Sequence, residues 1–182
     1  LSTLDLTSPD LVQKVRNSLQ ENALPVELLC LEVTESALMD EPDIALLHLK
    51  ELASLGVKLS IDDYGSGQAS LAYVKNLPVH ELKIDRVFVS DVDQHFRNAA
   101  IVRSTILLCQ ELGLSVVAEG AETQEELAWL RANHCDIVQG YVVAKPMPVE
   151  EFADWVTSHN TNSHSGEDSS IPPTAELSPE QH

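Results

Sequence analysis

Side chains that can bind a metal ion recur where short apolar segments of this sequence end. Residues 60–67 read SIDDYGSG, so one apolar run ends in two adjacent aspartates, Asp62 and Asp63. Other apolar segments end in Glu32, Lys83, Glu119 and Gln139. Carboxylates held together repel one another and raise each other's pKa unless a cation or a lysine neutralises them. The set therefore predicts a site where several carboxylates lie close together around a cation or a lysine.

The acidic candidates offer only oxygen, and none of the seven histidines ends such a segment. Oxygen ligands favour Mg²⁺ or Mn²⁺ over zinc. Two adjacent aspartates allow one carboxylate to bridge two cations roughly 3.5 to 4 Å apart while its neighbour binds the second, an arrangement used in phosphoester hydrolysis. The residues thus indicate a two-metal site that acts on a phosphate ester.

Each residue taken alone also fits a simpler role. Asp63 precedes YGSG and could form a turn, Lys83 could be an exposed strand end, and Gln139 could bond to backbone next to a glycine. Glu35 and Glu122 could be ordinary surface charges. The recurrence of such residues after five separate segments favours a shared site.

The chain alternates these apolar segments with amphipathic helical patterns. The segments LLCLEV, VKLSI, ELKI, LSVVA and CDIV are too short for helices and mostly lack alternation, which is typical of parallel strands buried on both faces. Helices are predicted from about Asp40 to Gly56 and from Asn98 to Gly113, and Thr123 with Glu126 forms a capping box. This order predicts an α/β fold with a parallel sheet, whose strand ends converge on one face.

Composition narrows the class of protein. The 182 residues are 43% hydrophobic, which is enough for a core, and the formal net charge of -18 argues against nucleic acid as a partner. Three widely spaced cysteines in apolar surroundings are expected to be buried thiols rather than disulfides. No apolar stretch approaches the ~18 residues of a membrane span. We expect a cytoplasmic location, with a membrane anchor upstream in a longer parent protein left open.

The final residues differ in composition from the rest. From Thr157 onward Ser, Pro, Asn, His and Glu dominate, so residues 157–182 are predicted to form a disordered polar tail after a domain at residues 1–156.

Five motifs together carry a family resemblance. LEVTES, SIDDYGSGQASL, LKIDRVFV, VVAEGAET and DIVQGY, in this order and spacing, resemble the EAL-domain phosphodiesterases, which hydrolyse the bacterial second messenger cyclic di-GMP to linear pGpG. The resemblance runs from Leu1 to about Trp155 and implies a TIM-type (β/α)8 barrel, present as roughly its last five β/α units. In relatives the Glu-x-Leu motif and an asparagine ligand lie upstream of the position of Leu1.

The resemblance also implies residue roles. Glu32 and Asp62 are expected to bind one metal, and Asp62 to bridge to a second metal bound by Asp63 and Glu119. The expected catalytic residues are Lys83, which would orient the water or stabilise charge, together with Glu119 and Gln139. Glu35 is expected to anchor a loop that contains Tyr64, Gly65, Ser66 and Gly67. Tyr64 and Ser66 stand where the family usually has Phe and Thr.

The implied cofactor is Mg²⁺ or Mn²⁺ and the implied ligand is cyclic di-GMP. A homodimer through the DDYGSG loop and adjacent helices is expected, as is an upstream sensor or cyclase domain. Without the upstream strands and ligands, this chain alone is expected to be inactive. Two alternatives remain: a non-catalytic cyclic di-GMP receptor or protein-interaction module, and a different metal-dependent barrel hydrolase or lyase. Retention of the five charged site residues favours the phosphodiesterase.

Overall fold

A computed structural model describes residues 1–65 and 71–164 of the chain. A parallel sheet with the strand order β1-β2-β3-β4-β5 forms its centre. The strands are β1 Cys30–Thr34, β2 Lys58–Tyr64, β3 Glu81–Ile84, β4 Ser115–Glu119 and β5 Ile137–Gln139. All five strands predicted from the apolar segments are confirmed.

Helices precede the sheet and connect its strands. They are α1 Thr3–Leu6, α2 Leu11–Glu21, α3 Glu35–Asp40, α4 Pro42–Ser54, α5 Leu71–Val74, α6 Arg86–Val89, α7 Phe96–Leu112, α8 Gln124–Ala132 and α9 Val149–His164, with a 3₁₀ turn at Val26–Leu28. Parallel neighbours require such crossovers, so each of β1 to β4, with the helices that lead to the next strand, forms one β/α unit.

Local signals explain the borders of the connecting helices. Pro42 occupies the first turn of α4, where no backbone donor is needed. Gly113 ends α7 in a left-handed conformation with φ 69°. Before α8, Thr123 and Glu126 form the predicted capping box.

The two faces of the sheet differ in polarity. Val33, Ile61 and Leu82 lie side by side in the strand register and are buried in the core together with the helices. The alternate positions are polar: Glu32 lies beside Ser60, and the Ser60 hydroxyl donates to Glu81 Oε1 at 2.9 Å. Consecutive residues of β2, β3 and β4 are buried, so the expectation of strands buried on both faces is confirmed, and one of these buried faces carries the polar side chains of the candidate site.

The chain divides into two compact units, Leu1–Lys145 and Pro146–His182. In the second unit α9 continues to His164, past Thr157, where a disordered tail was predicted to begin. A helix that has formed extends by one backbone hydrogen bond per residue, so polar residues can continue it. The Thr157 hydroxyl also donates to the Ala153 carbonyl at 3.0 Å. Residues 165–182, the remainder of the predicted tail, lie outside the described part.

The three cysteines were expected to be buried free thiols. All three thiols are free, but only Cys109 is fully buried, whereas Cys135 is half-buried and Cys30 is exposed at the start of β1. The prediction of burial was wrong for Cys30, since it lies on the polar face of the sheet.

None of the helices in the described ranges is long and apolar enough to cross a membrane.

Candidate metal centre

A bulge near the end of β2 shapes the candidate site. The pairing between β2 and β3 shifts register between Ile61 and Tyr64, and Asp63 has a φ of 55°. Consecutive residues of a regular strand point to opposite faces, and a bulge redirects one of them. The left-handed conformation of Asp63 thus allows both aspartates to contribute to one site.

Three carboxylates meet at the ends of β2 and β4. One oxygen from each of Asp62, Asp63 and Glu119 lies within 4.8 Å of the other two. Asp62 and Glu119 are half-buried, whereas Asp63 is exposed. The predicted convergence of these strand ends is therefore observed.

Lys83 provides the positive charge among these acids. Its buried Nζ lies 2.6 Å from Glu119 Oε1, 2.7 Å from Glu32 Oε1 and 3.1 Å from Asp62 Oδ1. The carboxylates come from three strands, and β3 places Lys83 between them. The lysine is an internal counter-ion rather than an exposed strand end.

Burial and charge shift the protonation of this cluster. Burial alone would lower the pKa of Lys83, but its contacts with the carboxylates of Glu119 first, then Glu32 and Asp62, raise it above its usual value. Burial raises the pKa of Glu119 although Lys83 opposes the shift. Although Asp63 is largely exposed, partial loss of hydration raises its pKa, and the neighbouring charge of Asp62 adds to this. The cluster thus has a high affinity for positive charge.

One oxygen of the cluster indicates room for a further partner. Asp62 Oδ1 is buried and accepts no hydrogen bond from the described residues; its 3.1 Å contact with Lys83 is an ion pair outside hydrogen-bond geometry. Buried oxygens of this kind are uncommon, and a cation would satisfy this one. With an all-oxygen donor set, the residues present fit a divalent metal ion.

Two predicted site residues lie beside the three-carboxylate group rather than in it. Glu32 is half exposed and contacts Lys83. Gln139 is exposed on β5 and pairs in register with Glu119. Both lie on the polar face, so their predicted roles in metal and phosphate binding stay predictions.

Glu35 is joined to the predicted loop. It is buried at the start of α3, and its Oε2 accepts a hydrogen bond from the Gly65 N–H at 3.0 Å. This contact is the geometry that the predicted loop anchor requires. Tyr64 and Gly65 are described, whereas Ser66 and Gly67 lie outside the described residues.

Close backbone contacts position the segment after β4, and the sequence carries little sign of them. A Cβ on Gly140 would lie 2.1 Å from the Ala121 carbonyl oxygen, and one on Gly120 would lie 2.4 Å from Arg86 Cγ. The Ala121 N–H also donates to the Gln139 carbonyl at 3.2 Å. Glycines within AEGAE and VQGY are a weak sequence signal for such close approaches.

Comparison with known proteins decides the family. The family model of the EAL domain matches residues 1–146, which is 146 of the 182 residues. The chain belongs to the EAL domain family. EAL domains have a TIM-barrel-like fold, so the predicted fold class is confirmed, and the five parallel strands with their connecting helices are the part of it seen here.

The chain is similar to two proteins from Pseudomonas aeruginosa that are named as phosphodiesterases. The cyclic di-GMP phosphodiesterase NbdA is 43% identical over 155 residues, which are 85% of this chain and 20% of that protein. The cyclic di-GMP phosphodiesterase RocR is 36% identical over 150 residues, which are 82% of this chain and 38% of that protein. The chain therefore spans between a fifth and two fifths of the length of these relatives.

Solved EAL-domain structures match the fold. The PaMucR phosphodiesterase in complex with cyclic di-GMP has a TM-score of 0.80 at 42% identity, covering 84% of this chain and 62% of that one. The manganese and cyclic di-GMP complex of BlrP1 from Klebsiella pneumoniae has a TM-score of 0.73 at 34% identity, covering 78% and 36%.

Proposed function

We propose that this chain, within a complete EAL domain, hydrolyses one phosphodiester bond of cyclic di-GMP to yield linear pGpG with the help of Mg²⁺ or Mn²⁺. The observation that carries the proposal is the group of three carboxylate oxygens from Asp62, Asp63 and Glu119, with buried Lys83 beside them. The carboxyl ends of barrel strands are where this fold places catalytic residues.

The side chains divide into ligands and residues that act on water or phosphate. Asp62, Asp63, Glu119 and Glu32 are the proposed ligands. When bound, divalent cations lower the pKa of water and neutralise phosphate charge. Glu119 has both roles in this proposal, since it is also the carboxylate assigned to accept a proton from the attacking water. Lys83 carries three N–H donors that can orient that water or a phosphate oxygen.

Gln139 and Glu35 have supporting roles in this proposal. Gln139 pairs with Glu119 in the register, which supports the proposal that its amide donates to a phosphate oxygen. Glu35 would fix the segment that follows Asp63 through its bond to Gly65.

The names of the relatives support the substrate. NbdA and RocR are named as cyclic di-GMP phosphodiesterases, and PaMucR and BlrP1 were solved with cyclic di-GMP. The manganese in the BlrP1 complex supports the choice of cation.

Asp62→Asn tests this proposal in a protein that contains the complete domain. Removing the charge of the proposed bridging ligand should lower the rate of pGpG release by about 10²-fold or more, because metal stabilisation contributes strongly to phosphoester hydrolysis. Asp154→Asn is the matched control: Asp154 is exposed on α9, and activity should stay within about two-fold of wild type. Release of pGpG is measured by chromatography with Mg²⁺ or Mn²⁺.

Three outcomes separate the alternatives. Near-normal turnover by the Asp62→Asn variant would refute the two-metal assignment. Tight binding of cyclic di-GMP by wild type without pGpG release would favour the non-catalytic receptor. Hydrolysis of other phosphoesters but not of cyclic di-GMP would favour a different metal-dependent hydrolase.

We further propose a cytoplasmic protein that contains additional domains and dimerises through the DDYGSG loop and adjacent helices. Two relatives support the additional domains: DosP from Escherichia coli is named an oxygen sensor, and MucR is named a bifunctional cyclase and phosphodiesterase. The dimer rests on the family resemblance of the loop, and the location rests on the resemblance to enzymes that act on a bacterial second messenger.

A further inference from the structure

Glu126 is a buried carboxylate outside the candidate metal centre. It lies in the first turn of α8, is 4% exposed, and its two oxygens accept three backbone hydrogen bonds. Oε1 accepts from the Asp91 N–H at 2.8 Å, and Oε2 accepts from the N–H groups of Glu122 at 2.7 Å and Thr123 at 3.0 Å. Although burial opposes ionisation, these bonds lower the pKa of Glu126 below its usual value, so it is a charged acceptor at neutral pH.

Helix capping accounts for only part of this arrangement. In the capping box, Glu126 accepts from the N-cap residue Thr123, and the Thr123 hydroxyl accepts from the Glu126 N–H at 3.2 Å. Glu122 precedes the helix, and Asp91 is 35 residues away in sequence at a left-handed φ of 54°. Glu126 therefore joins two separate segments of the chain.

These two segments follow the two residues of the shortest ion pair in the site. Asp91 comes just after α6, the turn of helix that follows Lys83 and β3. Glu122 and Thr123 end the short loop that follows Glu119 and β4. Glu126 thus fixes the chain beyond Lys83 relative to the chain beyond Glu119.

The loop between Glu119 and Glu126 has little freedom to absorb a displacement. Gly120 has a φ of 71° and packs against the Arg86 side chain. The Ala121 N–H donates a hydrogen bond to the Gln139 carbonyl, and the Ala121 carbonyl accepts one from the Val142 N–H at 3.1 Å. Movement of Glu122 would therefore be transmitted to Glu119 rather than taken up locally.

We propose that Glu126 is a positioning residue for the candidate metal centre: it orients Glu119 relative to Lys83 by binding the backbone of both following segments. The expected effect of Glu126 on turnover rests on the proposed function. The expected effect on cation binding is independent of the phosphodiesterase activity.

Glu126→Ala and Thr123→Val separate positioning from capping. Thr123→Val removes the reciprocal cap bond but leaves the three bonds accepted by Glu126, so it should lower the melting temperature while kcat stays within about two-fold. Glu126→Ala should lower kcat for pGpG release by about ten-fold or more, since small displacements of catalytic groups have large kinetic effects. KM should change less than kcat, because the loss falls on Glu119 and not on substrate contacts.

Both variants are studied in the protein with its complete domain, at a temperature where circular dichroism shows each to be folded. The dissociation constant for Mn²⁺, measured by calorimetry without substrate, should increase in Glu126→Ala and not in Thr123→Val. Equal kcat values and equal Mn²⁺ affinities for the two variants would overturn the proposal.

Glu126→Gln decides the question if Glu126→Ala does not fold. Glutamine has the same shape but one acceptor oxygen, so its NH₂ group must face either the Asp91 N–H or the other two. We expect a loss of kcat and Mn²⁺ affinity smaller than for alanine, and wild-type values for both would overturn the proposal. If wild type itself releases no pGpG, the proposed function fails, while the Mn²⁺ titration still tests the positioning role.

Discussion

At the residue scale, Lys83 accounts for how several acids can lie close together at the carboxyl ends of the strands. Acids at this spacing would repel strongly in a half-buried site. Lys83 contacts Glu119, Glu32 and Asp62 within 3.1 Å, and its raised pKa keeps it charged. The residual negative charge and the unsatisfied Asp62 Oδ1 leave the cluster suited to additional cations.

Asp63 destabilises the site locally, because its backbone is in a strained left-handed conformation. A left-handed φ in a residue other than glycine typically costs about 1–3 kcal/mol and persists where function or packing requires it. Here the same conformation forms the bulge that brings Asp63 beside Asp62 and Glu119. The strain is thus associated with the geometry of the candidate centre.

Glu35→Ala is predicted to weaken cation binding without removing a ligand. The substitution leaves the Gly65 N–H without its acceptor, which typically costs about 1–3 kcal/mol, and releases the segment that carries Asp63. We expect the Mn²⁺ dissociation constant of the complete domain to rise several-fold and its dimer to weaken. Calorimetry and sedimentation measure the two effects.

Glu41→Ala is the control for this prediction. Glu41 is exposed and its side chain makes no capping bond to α4, so both quantities should remain at wild-type values. Unchanged Mn²⁺ affinity and dimerisation in Glu35→Ala would mean that Glu35 does not act on the metal site through the loop.

At the element scale, the close approach of the segments after β4 and β5 sets their spacing. Gly140→Ala would place a Cβ 2.1 Å from the Ala121 carbonyl oxygen, so one backbone must move. We predict a loss of unfolding free energy of about 2 kcal/mol or more and a large loss of activity, because Ala121 follows Glu119 closely. Urea denaturation and pGpG release by the complete domain provide the measurements.

Gly113→Ala gives a matched comparison for this clash. Gly113 has a φ of 69° but nothing within 4 Å of an added Cβ, so only backbone strain of about 1–2 kcal/mol is expected, with activity retained. If Gly140→Ala is as mild as Gly113→Ala, the close approach does not constrain the site.

The sequence predicted the long helices and all five strands because apolar periodicity and capping residues are strong over such lengths. It missed α1, α3, α5 and α6, which have four to six residues and are too short to show a helical period. Caps by Thr34 and Asp85 stabilise α3 and α6, and both residue types also occur in turns. Strand ends revealed Asp62, Lys83 and Glu119.

The local geometry of the site was less predictable. A left-handed aspartate has no sequence signature, so the bulge at Asp63 was not foreseen. Glu126 was recognised only as a cap, because its bond to Asp91 depends on tertiary structure. Cys30 was expected in the core because its neighbours are apolar, but strand alternation places it on the polar face.

At the scale of the whole molecule, the sheet has two edges within the described ranges. There β1 pairs only with β2, and β5 pairs only with β4. Unpaired strand edges next to exposed apolar side chains promote association, and Ile137 on β5 is 45% exposed. These edges provide a physical reason to expect that residues 1–182 alone differ in behaviour from a complete domain.

We predict that residues 1–182 expressed alone associate in a concentration-dependent way and release no pGpG. Ile137→Lys should reduce the association, because a charge at a strand edge disfavours pairing with another chain. Ile101→Lys, at a similarly exposed site on α7, makes the same chemical change away from an edge and should have less effect. Light scattering after size exclusion measures both, and a monodisperse active monomer would contradict the prediction.

The internal ammonium group of Lys83 has a consequence for how the protein matures. Since Lys83 already neutralises part of the acidic charge, we expect the complete domain to fold before it binds a divalent cation. Loading then becomes an exchange in which incoming ions compete with an amine that is already in place. Occupancy would follow the free cation concentration of the cell rather than the rate of synthesis, and chelation would leave a folded protein that can be reloaded.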